Sequence, residues 1–64
     1  MKESNLYEFR LFPSSKKEYR REHWCESDAR ARAELTGMIY AMYFEYKHPR
    51  AELYKNGKLI QRMS

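Results

Sequence analysis

The chain has 64 residues, a single cysteine, 34% charged residues and a formal net charge of +4. A chain this short forms one domain that buries only about 60% of the surface its unfolded form exposes, and one cysteine excludes an internal disulfide, so core packing or oligomerisation must hold it. No stretch approaches the roughly 18 apolar residues of a membrane span and residues 1–11 lack the apolar region of a leader peptide; with the cysteine usage, this predicts a protein of a reducing, cytoplasmic compartment.

The predicted domain covers residues 1–64. Residues 6–12 read as a strand, with Tyr7, Phe9 and Leu11 on one face and Glu8 and Arg10 on the other. Pro13, Ser14 and Ser15 break it, and Lys16 and Lys17 continue the loop. Residues 18–25 read as a returning antiparallel strand. Tyr19, Arg21, His23 and Cys25 fall on one side, and Glu18, Arg20, Glu22 and Trp24 on the other. One of Tyr19 and Trp24 is therefore expected to be exposed or at an interface.

A helix is predicted over residues 28–47. Ser27 suits its N-cap, Asp28 suits the positive end of the helix dipole, and Arg30 and Glu34 are spaced to pair at i,i+4. Gly37 costs about 1 kcal/mol against alanine inside a helix, which predicts a close backbone approach there. Pro49 disfavours helical geometry at His48 and sets the predicted end. The second half, residues 38–44, is apolar around most of its circumference, more than one sheet face can cover. The surplus is expected to face a second copy of the chain or a protein target.

Residues 50–63 read as a hairpin, because Asn56-Gly57 suits a type I′ turn. A two-residue turn pairs Leu53 with Ile60 and Tyr54 with Leu59. It puts Ala51, Leu53 and Ile60 on one apolar face and Tyr54, Leu59 and Met63 on the other. The fold class is then α+β: a small ββαββ module, an antiparallel sheet with one helix across it. The stretches Ser27-Asp28-Ala29-Arg30-Ala31-Arg32-Ala33 and Ala51-Glu52-Leu53-Tyr54-Lys55-Asn56-Gly57-Lys58-Leu59-Ile60 resemble a loose group of short bacterial ββαββ proteins of unknown function. That resemblance implies a fold and supplies no activity. The tyrosine- and methionine-rich half of the helix departs from the group's pattern.

Two surfaces are candidates for function. Trp24, Tyr40, Met42, Tyr43, Phe44 and Tyr54 are the residue types that anchor protein interfaces. Lys55, Lys58 and Arg62 on the last hairpin carry part of a charge excess confined to residues 47–64. With Lys16, Lys17, Arg20 and Arg21 they offer a phosphate-contacting alternative, if the two hairpins lie side by side. Glu18 and Glu22 interrupt the second group.

His23, Cys25 and His48 lack the paired spacing of a zinc site, so no metal or other cofactor is expected. His23 and Cys25 lack a third orienting group for nucleophilic chemistry. With only Gly37 and Gly57 there is no glycine-rich phosphate loop, and no enzyme or small-molecule substrate is expected. The expectation is a non-enzymatic module docking on a protein partner, or on itself as a homodimer, as an adaptor or inhibitor. In general build it is similar to small phage or mobile-element proteins that block host enzymes. The alternative is a dimeric basic accessory protein that binds nucleic acid.

Overall fold

Alternation in the first 25 residues becomes a long hairpin. The structure, a computed structural model, describes residues 4–64. Strand β1 spans Asn5–Ser14 and β2 spans Lys17–Cys25. Pro13 lies where the β1–β2 register shifts, and β3 pairing stops at Phe12. Its missing N–H therefore removes no ladder bond that the central strand needs, and the strand continues past the predicted break.

Helix α1 spans Asp28–Tyr43, and Ser27 caps it by accepting the Arg30 N–H at 3.1 Å. Strands β3, Arg50–Lys55, and β4, Lys58–Met63, close the chain around Asn56 and Gly57, which sit at φ 53° and 80°. Two consecutive positive φ values are what a type I′ turn demands. All four strands form one antiparallel sheet in the order β2-β1-β3-β4, matching the expected ββαββ module.

One face of this sheet carries the helix. Tyr7 and Phe9 of β1, Cys25 of β2, and Ala51 and Leu53 of β3 are buried against Ala31, Leu35 and Ile39 of α1. Each fully buried large apolar side chain stabilises by roughly 1.5–3 kcal/mol relative to exposure, so Tyr7, Phe9, Leu35, Ile39 and Leu53 dominate the stability of so small a domain. The helix lies chiefly over β3. Strand β2 is exposed along its whole length apart from Cys25, so Tyr19 and Trp24 are both exposed although they point to opposite faces.

Three local expectations are corrected. The helix ends at Tyr43 instead of residue 47. The Glu45 and Tyr46 N–H groups both bond the Met42 carbonyl, and residues 45–49, ending in the buried Pro49, turn the chain back so that Arg50 pairs with Phe12 of β1. A longer helix would carry the chain past its pairing partner.

In β4, Leu53 pairs with Gln61 rather than Ile60, because a bulge accommodates Ile60 between the Leu53 and Tyr54 pairs. Beyond the bulge, Met63 pairs with Ala51 on the helix side. Ile60 and Met63 both pack on the core, while Leu59 is exposed.

Gly37, third, marks no close approach: it is exposed, and a Cβ there would meet nothing within 4 Å. Gly37→Ala is therefore expected to stabilise the fold by about 0.5–1 kcal/mol through helix propensity alone. A higher urea midpoint at unchanged slope is the expected reading; a lower midpoint would reveal a contact that requires glycine.

Candidate functional site

The chain reversal after α1 forces aromatic side chains outward. Ile39 faces the core, and Met38 and Met42 pack half-buried against it, so Met42 belongs to the core and not to a free surface. Tyr40 and Tyr43, one helical turn apart, stand on the outer flank with ring centroids 6.3 Å apart and planes tilted by 43°. Phe44, at the C-cap, is 90% exposed, and Tyr40 is 61% exposed. These three exposed rings lie within the last turn and C-cap of the helix.

The same end of the molecule is basic. The Lys17 ammonium lies 5.9 Å from the centre of the Tyr46 ring, which fixes the β1–β2 turn beside the segment after α1. A depression of about 440 Å³ there is lined by Phe12, Pro13, Ser14, Ser15, Tyr46, Lys47, His48 and Arg50. The Arg50 guanidinium stacks 4.8 Å from the Phe12 ring centre. Lys17, Lys47 and Arg50 thus gather at the depression that the segment after α1 helps to line.

The remaining predicted anchors lie elsewhere. Trp24 is 63% exposed on the opposite sheet face, paired with Leu6 at the far end of β2. Tyr54 is on that face too, but it is committed within the chain. Its hydroxyl donates to Glu52 at 2.8 Å, and the Arg10 guanidinium covers its ring at 4.1 Å. Arg10 also pairs with Glu8 at 3.2 Å, and Arg62 with Glu52 at 3.3 Å. The centre of the open face is therefore committed to pairs within the chain, although the buried Arg10 Nε takes no hydrogen-bond partner among the described residues.

The predicted basic patches do not merge. Strands β1 and β3 are neighbours but antiparallel, so Lys16 and Lys17 sit at one end of a 40 Å long molecule, and Lys55 and Lys58 at the other. Arg20 and Arg21 point to opposite faces of β2, and Arg20 is paired with Glu18 at 2.7 Å. Lys55 is held at 3.1 Å by Asp28. Among these seven cations, Lys16, Lys17, Arg21 and Lys58 are in no ion pair among the described residues.

Asp28 anchors the other end of the helix. It accepts the Tyr7 hydroxyl at 2.5 Å and the Lys55 ammonium at 3.1 Å. The Tyr7 bond, then Lys55, hold its carboxyl below the usual range; Asp28 in turn raises Tyr7 and Lys55. A depressed carboxylate contributes stability that is present above about pH 4 and lost as pH falls through its folded value. The two raised groups contribute stability that is present below about pH 10 and lost as pH rises through theirs. The urea midpoint is therefore expected to hold between these limits and to fall beyond both. Asp28→Asn should lower the plateau and flatten both flanks, and unchanged flanks would remove the cluster from the account.

Beside it, Glu34 is a residue that the sequence reading misassigned. Instead of pairing with Arg30, its carboxylate accepts the Cys25 thiol at 2.9 Å and lies 3.1 Å from His23 Nδ1. No known family, curated protein or solved structure matches this chain. Among the described residues no helix is long and apolar enough to cross a membrane.

Proposed function

We propose that the chain is a small non-enzymatic binding module that docks on an acidic protein surface through the aromatic end of α1, acting as an adaptor or inhibitor. The observation that carries this reading is the exposure of three rings, Tyr40, Tyr43 and Phe44, at one helix end, the first two side by side. A domain this small gains most of its stability from apolar burial, so large exposed rings held side by side call for a partner. Aromatic anchors of this kind carry most of the free energy in interfaces, and surrounding cations speed encounter with a surface of opposite charge. Lys17, Lys47 and Arg50, at the depression beside Tyr46 just after the helix, supply such cations.

The test is an affinity series on the bound partner. Tyr40→Ala with Phe44→Ala is expected to weaken binding about 30-fold or more while the far-UV circular dichroism stays native, since a hot-spot side chain contributes ~2 kcal/mol or more. Lys55→Glu with Lys58→Glu should leave binding within a few-fold. The reverse ranking, with affinity falling steeply as salt rises, would replace this reading by a nucleic-acid interface. Light scattering separates a partner from self-association: a mass that doubles with concentration in the native chain, but not in the Tyr40/Phe44 variant, would assign the aromatic end to a homodimer.

A further inference from the structure

The sequence alone offers His23 and Cys25 as a pair without a third member. The fold supplies one. Alternation along β2 places both residues on the helix side, and the flank of α1 that faces β2 delivers Glu34 between them. His48, the other histidine, lines the depression at the opposite end and takes no part.

We propose that His23 Nδ1, Cys25 Sγ and a Glu34 carboxylate oxygen form a zinc-binding site with an open fourth position. The three ligand atoms converge within 4.8 Å of one another. Two of their separations are 2.9 Å and 3.1 Å, and the third, Cys25 Sγ to His23 Nδ1, is 4.0 Å. Zinc bonds of about 2.0 Å to nitrogen or oxygen and 2.3 Å to sulfur, at tetrahedral angles, put ligand atoms roughly 3.3–3.6 Å apart. The triangle brackets that spacing, so small side-chain rotations seat the ion without moving the backbone.

The donor chemistry points to the same ion. A thiolate with an imidazole and one carboxylate suits borderline-soft zinc and disfavours magnesium or calcium, which take oxygen shells. Three protein ligands with a vacant corner are the pattern of zinc sites that exchange a water or bind a further ligand. A depression of about 400 Å³, lined by His23, Trp24, Cys25, Glu26, Arg30 and Glu34, gives entry and room for that fourth ligand. Thiolate and carboxylate together neutralise the ion, and the Arg30 guanidinium then favours an anion at the open corner.

Burial and the Glu34 bond push the Cys25 thiol up to about 11, so the cysteine holds its proton at neutral pH and the ion must displace it. The structural consequence is local. Cys25 is the one buried residue of β2, and a bound ion would fasten this strand to the helix at that point.

The full-length chain, stripped with a chelator, is titrated with zinc in competition with a chromophoric chelator. The expected result is one ion per chain at micromolar affinity or tighter, with a rise in melting temperature. Cobalt(II) should give visible bands of tetrahedral intensity and a near-ultraviolet thiolate-to-cobalt band. Glu34→Gln and His23→Ala alter half-exposed and exposed side chains, so both should fold. Each is expected to weaken zinc by more than the ~100-fold that loss of an outer partner costs. Cys25→Ser should abolish the thiolate band. Affinity no better than millimolar, zinc binding unchanged in both of the first two variants, or cobalt bound without a thiolate band would each overturn the site and leave a thiol–carboxylate hydrogen bond in its place.

Discussion

Phe9→Ala is expected to leave much of the population unfolded at 25 °C. Phe9 is fully buried on the central strand β1, opposite Arg21 on β2 and Leu53 on β3. Removing a buried phenylalanine ring costs about 3–5 kcal/mol, from lost transfer energy and from the cavity that remains. At 0.05–0.15 kcal/mol per residue, a chain of this length has only about 3–10 kcal/mol in total. The substitution removes from about a third of that to all of it. Far-UV circular dichroism with a urea titration reads the outcome directly. A cooperative transition at the native midpoint would mean that the core does not centre on the β1–β3 pair.

Enlarging a small residue in the same core should cost less but test a different property. Ala31→Leu is expected to destabilise the fold by about 1–3 kcal/mol. Ala31 is fully buried one turn after the N-cap, on the helix face that meets the sheet, and Ala51 on β3 is buried as completely. With no surface left exposed at Ala31, extra methyl groups fit only if the helix lifts. Leucine forms helices almost as well as alanine, so local propensity does not confound the measurement. A midpoint at or above the native value would show that the helix end can move away from the sheet at no cost.

What was legible in the sequence is what short-range physics determines. Ser27, the Tyr7/Phe9/Leu11 alternation and Asn56-Gly57 each act through the next few residues, and each produced the expected cap, face or turn. The misreadings share a different cause. The helix end at Tyr43 is set by where Arg50 must meet Phe12, and the bulge at Ile60 by packing on a core that includes a helix distant in sequence. Glu34 faced two options, the i,i+4 partner Arg30 and the β2 pair, and only the tertiary fold decides between them. A helix starting three residues after Cys25 has to pass back over the end of β2, and that was the available signal. For the aromatic surplus, the sequence showed that Tyr40, Tyr43 and Phe44 exceed what one sheet covers. It did not show that Trp24 and Tyr54 lie on the other face, because strand order decides that.

The strand order also governs how the chain must come together. Each hairpin pairs residues close in sequence, whereas Tyr7 meets Lys55 only after the whole helix has been threaded between them. Hairpins close within microseconds, but a long loop must pay its entropy before the seam between β1 and β3 returns anything. The core shared by β1, β3 and α1 is incomplete until that seam forms, and an isolated two-stranded hairpin is marginal in water. The seam is thus the expected rate-limiting event, and substitutions along it should slow folding more than substitutions at either hairpin turn.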